Sequence, residues 1–234
     1  MKGEVIFEPY VGNDYDSDGA RLLGRRVMVV GASHYCEHFH SEHGCSKACA
    51  HFGNYRFSCR DRSMFFGNRC ELFTQIVVER YCKWIGDKEQ RKWFRTFTRF
   101  YNSFFKGGKA THKARVRLIE HIVVTEYVQG AEGRTRTDND SLAMSSDRNF
   151  KELEKAVSLL RPDVLLLWGK RAWREVCRQC GIDDVEPEIQ SVMIGVRKVR
   201  IVRVAHPASF EFYRERIQKL LTDVGIQILT PDVV

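Results

Sequence analysis

Four short apolar runs constrain what this chain can fold into more than any other feature: Val27–Val30, Ile119–Tyr127, Val164–Trp168 and Val199–Ala205. Each is rich in β-branched or aliphatic residues, and a run of that kind can bury both faces of a strand, which places it inside a sheet rather than at a surface. Helical spacing fills the intervals. Leu72, Phe73, Ile76, Val77 and Tyr81 recur at one face of a helix, as do Phe150, Leu153, Val157 and Leu160. Arg161-Pro162-Asp163 stops the second of these helices just before the third strand. Pro207, with Ser209 as N-cap, is expected to open a final helix carrying Phe210, Tyr213, Ile217 and Leu220. Strands alternating with helices predict an α/β, three-layer fold with a central, mostly parallel four-stranded sheet flanked by helices.

With 234 residues, 43% of them apolar, the chain suits one compact domain spanning 1–234. Gly130 to Asp147 has no periodicity and reads as a mobile surface loop. No run is long and apolar enough for a membrane span, and Met1 to Gly12 lacks the apolar core of a secretory signal, so the expected location is the cytoplasm.

The formal net charge of +8 favours a polyanionic partner, and its distribution says more than its size. From Arg91 to Ile119 there is no Asp or Glu, while nine Lys and Arg residues fall in that window. Trp93, Phe94, Phe97, Phe100, Tyr101, Phe104 and Phe105 interleave with them at a spacing that fits one apolar helix face. The rings are expected in the core. The cations Arg95, Arg99, Lys106, Lys109 and Lys113 are expected to track nucleic-acid phosphates, with Lys106-Gly107-Gly108-Lys109 as a flexible backbone contact.

Ligands of α/β sheets gather beyond the carboxyl ends of the strands. There the chain offers Gly31-Ala32-Ser33-His34-Tyr35, then Thr125-Glu126-Tyr127, then His206-Pro207-Ala208-Ser209. The segment VMVVGASHY from Val27 to Tyr35 resembles the strand and first catalytic loop of the uracil-DNA glycosylase superfamily, whose patterns include GQDPYH and GEAPG. VLLLWG from Val164 to Gly169 is similar to that family's core strand ending in Gly, and VRVAHPASF from Val202 to Phe210 to its closing strand and HPSP loop.

The resemblance implies a uracil-DNA glycosylase-like fold and a DNA-binding hydrolase that flips a damaged or modified base and cleaves its N-glycosidic bond. It makes His206 the stabiliser of the departing base and places Ser33 and His34 in the catalytic loop. Tyr35 becomes an aromatic wall of a base pocket framed by Gly31, Ala32, Pro207 and Ser209, and Phe210 a wedge beside the flipped nucleotide. The chain departs from the pattern where the family carries its acid, since Ala32 and Ser33 cannot hold charge at neutral pH. Where many relatives have a base-reading Asn it has Glu126, which can accept from an exocyclic amine or replace the missing acid. A binding module that keeps the fold without the acid is the alternative, and a hydrolase of small nucleotides is a third class. No obligate protein partner is implied.

Five of the eight cysteines and four histidines fall within a Cys/His-rich insertion at about 36–70, with His34 just before it. Thiolate and imidazole are preferred zinc ligands, so Cys36, Cys45, Cys49 and Cys59 are expected to hold a structural zinc ion. Some glycosylase relatives hold an iron–sulfur cluster on four cysteines, which is the alternative. Cys177 and Cys180 read as core-packing residues, with Gly181 stopping their helix.

Overall fold

A computed structural model describes residues 8–16, 22–32, 34–35, 65–66, 69–70, 74–83, 92–128, 131–132, 147–185 and 187–231. In chain order the strands are β1 (Tyr10–Val11), β2 (Val27–Gly31), β3 (His34–Tyr35), β4 (Phe65–Phe66), β5 (Arg69–Cys70), β6 (Ile122–Glu126), β7 (Ala131–Glu132), β8 (Val164–Trp168), β9 (Ile189–Ile194) and β10 (Arg197–Val204). The α-helices among the described residues are α1 (Thr74–Lys83), α2 (Lys92–Asn102), α3 (His112–Ile119), α4 (Asp147–Leu160), α5 (Gly169–Cys180) and α6 (Arg214–Asp223).

The main sheet has six strands in the order β1-β6-β2-β8-β10-β9. β6, β2, β8 and β10 run parallel, while β1 joins β6 and β9 joins β10 antiparallel. This corrects the expected four-stranded, mostly parallel, uracil-DNA glycosylase-like sheet to a mixed sheet of six. The two extra strands are the edges, where a strand need not be buried on both sides. β1 is only two residues long, and β9 (IQSVMI) mixes polar and apolar residues and alternates in exposure near its end.

Alternation along the strands divides the core in two. Val27, Val29, Ile122, Val124, Val164, Leu166, Trp168, Val202 and Val204 face α1, α2, α3 and α6, the aromatic layer containing Phe97, Phe100, Tyr101 and Phe104. Met28, Val30, Val123, Leu165, Leu167, Val199 and Ile201 face α4 and α5, where Leu153, Val157, Trp173 and Val176 cover them. From Phe94 to Phe105 the aromatic residues are buried. Each such ring removes a large apolar area from water, so α2 is held by its rings and leaves its cations outside. Cys177 is buried and Gly181 caps α5 in the left-handed conformation.

The final helix starts later than predicted. It opens at Arg214, with Tyr213 as N-cap and no side-chain cap, and residues 207–211 form turns instead. The loop of Gly130 to Asp147 lies outside the described residues except for β7 and the first residue of α4, and the insertion at about 36–70 is described only at β4 and β5. No helix of the described residues is long and apolar enough to cross a membrane.

Candidate functional site

The residues facing the aromatic layer occupy alternate positions on each strand, and continuing each row to the carboxyl end gives the site. Val27 and Val29 lead to Gly31, Ile122 and Val124 to Glu126, Val164 and Leu166 to Trp168, and Val202 and Val204 to His206. Four neighbouring parallel strands thus end, on one face, in a glycine, a carboxylate, an indole and an imidazole. The chain passes from β2 to β6 on one side and returns to β8 on the other, so the sheet's topological switch falls at β2. Ligands of open α/β sheets favour such a position.

Glu126 is paired in register with Gly31, and its carboxylate lies over the glycine. A Cβ at Gly31 would overlap both carboxylate oxygens, so only glycine leaves that place to the acid. Glu126 is 8% exposed. Tyr101, on α2, is fully buried, and burial pushes its phenol well above the usual range, with Tyr81, Cys82 and Tyr10 adding to the shift and the negative charge of Glu126 adding least. Tyr81 packs with its ring centroid 5.6 Å from that of Tyr101, its hydroxyl bonded to Thr98 and accepting from Nε of Arg115 at 2.9 Å.

His206 lies two residues past β10, half-buried, with its ring centroid 6.2 Å from Trp168 in an edge-to-face arrangement. The backbone N–H of Ala208 donates to Nδ1 of His206 at 3.2 Å. An Nδ1 that accepts fixes the neutral imidazole with its hydrogen on Nε2, which makes that nitrogen a donor. Trp168 packs edge-on against Phe97 and Phe100. Gly169, at φ +84°, turns the chain sharply from β8 into α5 and leaves its open side 3.6 Å from Cβ of His206.

The loop after His206 is held by a residue predicted for another role. Nη1 of Arg99 donates to the carbonyls of Pro207 at 2.8 Å and Ser209 at 3.3 Å, and Nη2 donates to that of Phe212 at 2.8 Å. Its guanidinium also lies 4.9 Å from the centre of the Phe212 ring. At the other end of the loop Nζ of Lys170 pairs with Glu211 at 2.9 Å and holds that carboxyl below its usual range. Pinned at both ends, the loop buries Pro207 and turns Phe210 outward, 99% exposed.

Of the predicted site residues, Gly31, Glu126 and His206 share one face. Ala32 is half-buried against the second core, and Pro207, Ser209 and Phe210 lie on the pinned loop. His34 and Tyr35 form β3, which pairs with β7, and Ser33 lies outside the described residues. Arg95, Arg99, Lys106, Lys109 and Lys113 are all exposed. Sequence reasoning missed the clamp made by Arg99, the place of Trp168 in the site, and Tyr213 and Arg214 just beyond the loop.

The expectation of zinc, or of an iron–sulfur cluster, is corrected. Among the described residues no group of three or more His, Cys, Asp or Glu side chains could hold a metal ion, and Cys36, Cys45, Cys49 and Cys59 lie outside those residues. Cys82, Cys177 and Cys180 are free, and burial pushes their thiols up to about 12, about 12 and about 11, away from the thiolate form that a metal requires. Compared with protein-family models and with curated proteins, the chain matches none.

Proposed function

We propose that the chain binds DNA at the carboxyl edge of its parallel strands and hydrolyses the N-glycosidic bond of a damaged or modified base. The observation that carries this reading is the shared face: a buried carboxylate at the end of β6 and an imidazole with a defined donor just past β10 end rows on the same side of one sheet, flanking β2 and β8 at its switch point. In the reaction the bond between the sugar carbon and the base nitrogen breaks, and its electron pair leaves with the base. Nε2 of His206 donates a hydrogen bond to the negative charge that develops there. Water supplies the new carbon–oxygen bond, and Glu126 stabilises the cationic sugar and takes the proton that the water releases. The base then gains a proton from solvent.

Phe210, carried outward on a clamped loop beside His206, suits a wedge that fills the gap left by a flipped nucleotide. The exposed cations of α2 and of the Lys106–Lys109 turn suit the phosphates. A second reading, a nucleic-acid-binding module without catalysis, is favoured by Ala32, which occupies the position of the acid in the first loop and carries no charge.

Incubation with oligonucleotides carrying uracil, hypoxanthine, xanthine or modified cytosines, followed by detection of abasic sites, tests the proposal. His206→Ala is expected to slow release by roughly 10²–10³-fold, the usual loss when one donor to a developing charge is removed. Glu126→Gln is expected to abolish release if the acid acts on sugar or water, and to change which base is released if it reads an amine. Salt-sensitive binding with no abasic product from any oligonucleotide would overturn the catalytic reading in favour of the module.

A further inference from the structure

A groove of about 310 Å³ opens beside the pinned loop, between the C-terminal end of α2 and the start of α6. Arg99, Gly108, Tyr213, Arg214 and Glu215 are among the residues that line it. We propose that this groove holds one unpaired nucleotide of a nucleic-acid strand, its base stacked on Tyr213 and its phosphate held by Arg214. The inference rests on the preceding reading only in taking the ligand to be a nucleic acid.

Three observations lead to it. Tyr213 is 63% exposed and lies three residues after the fully exposed Phe210, so two aromatic rings face solvent on one short segment. A single exposed ring is ordinary, but Tyr213 lines a groove that also holds Arg99 and Arg214, and an aromatic face beside cations is the arrangement on which a base stacks. Arg214 reaches the groove across the Lys106–Gly108 turn. Gly108 sits at φ +63°, and a Cβ there would overlap the Arg214 side chain, so this glycine both permits the turn and leaves the arginine its path.

The charge completes the case. Arg99 spends its donors on carbonyl oxygens, which hold it in place without cancelling its charge. Arg214 is paired with Glu215 at 2.6 Å, but both side chains are substantially exposed, and a phosphate can replace the carboxylate at little cost. Lys106 and Lys109, exposed on either side of Gly107-Gly108, add two more cations. Inside a duplex both faces of a base are covered by its neighbours, so a base lying on Tyr213 comes from single-stranded or locally opened nucleic acid or from a strand end.

Fluorescence anisotropy with the full chain and a labelled oligothymidylate tests this, because that probe carries no base to be released. Tyr213→Ala is expected to weaken binding by on the order of tenfold, and Tyr213→Phe to restore it. Arg214→Gln is expected to reduce the slope of log affinity against log salt by about 0.7, the share of one phosphate contact on a single strand. The corresponding duplex should bind less tightly and be indifferent to Tyr213→Ala. The proposal falls if both variants bind as the unaltered chain does, or if polyglutamate displaces the oligothymidylate equally well from the unaltered chain and from Tyr213→Ala, which would mark the groove as a site for acidic protein. If no oligonucleotide ever yields an abasic site while the Tyr213 and Arg214 effects appear, the hydrolase reading fails and the groove stands.

Discussion

The two faces of the sheet are buried to the same degree and differ in what happens to charge. On the α4 and α5 side, cations pair with carboxylates one turn away: Lys155 with Glu152 at 3.1 Å and Arg178 with Glu175 at 2.5 Å. On the α2 and α3 side, Arg99 donates to three carbonyls, and Arg115 to the carbonyl of Ala110, the side-chain oxygen of Asn102 and the hydroxyl of Tyr81. Both arrangements satisfy the donors. Only the first cancels the charge, because a carbonyl oxygen binds a guanidinium without neutralising it. Ion pairs occur on this side as well: Arg117 with Asp14 and Glu120, Lys83 with Glu79, Arg214 with Glu215 and Lys219 with Asp223. The difference is therefore one of two residues: Arg99 and Arg115, anchored on carbonyl, amide and hydroxyl oxygens, keep their charge on the face where Glu126 and His206 lie.

If one face supports and the other acts, removing a large side chain from the supporting face should cost stability first. Trp173 is buried under the sheet, and its indole N–H donates to the carbonyl of Asp184 at 2.8 Å. Trp173→Ala is expected to lower the unfolding free energy by about 3–5 kcal/mol, the usual range for an aromatic removed from a core. Chemical denaturation measures this. A variant that stays as stable as the unaltered chain would break the assignment of this face.

Neighbouring residues of β2 sharpen the contrast, since Val30 points to one face and Gly31 to the other. Gly31→Ala pushes the Glu126 carboxylate from its place, and a displacement of about 1 Å at a reacting group costs about a hundredfold in rate. Val30→Ala is expected to leave base release unchanged and to lower stability by about 2 kcal/mol through the cavity it makes. Single-turnover assays and thermal melts on the two variants should therefore give opposite results.

Arg99→Lys separates clamp from field. Lysine keeps the charge but cannot fork onto three carbonyls, so the salt dependence of nucleic-acid binding should persist while the melting point falls by the equivalent of about 1 kcal/mol. The turn at 207–212 should become easier to cleave by limited proteolysis. Should the loop resist cleavage as before, the clamp contributes nothing.

Much of this face was legible in the sequence. Val27–Val30 and Val164–Trp168 are apolar on every residue, which only strands buried on both sides need to be, and α2 declared its buried side through ring spacing. Glu126 and His206 were singled out as candidates because they lie at the carboxyl ends of such runs. The edges were illegible for the opposite reason: β1 is too short to show a period, and the mixed pattern of β9 takes its meaning from pairing with β10 through the hairpin at Gly195. Ser209 looked like a helix cap because it follows Pro207, yet Arg99, more than a hundred residues away in the chain, holds the carbonyls there and delays the helix to Arg214. Local propensity cannot register a partner so distant in sequence. Phe210 and Tyr213 were read with Ile217 and Leu220 as positions of the final helix, yet they precede it and are exposed, and Arg214 carried no signal, because its place depends on a glycine turn packed against it from another part of the chain.

The smallest expected effect is one in which the two faces behave alike. Cys82, on α1, and Cys177, on α5, are both held as thiols. Burial pushes each from the ordinary value near 9 up to about 12, with Glu120 and Glu79 adding to the shift at Cys82, and Cys180 and Asp184 at Cys177. Below pH 9 both groups are protonated whether the chain is folded or not, so they add no pH dependence. Above pH 9 the unfolded chain releases these protons while the folded chain keeps them, and the folded state, binding more protons, loses stability steadily as pH rises toward 12. Thermal melts between pH 7 and pH 11 should therefore be flat at first and then decline. Cys177→Ala and Cys82→Ala should each flatten the decline by a similar amount. A decline removed by one substitution and untouched by the other would show that burial differs between the faces after all, and that the contrast drawn from their charges extends to their cores.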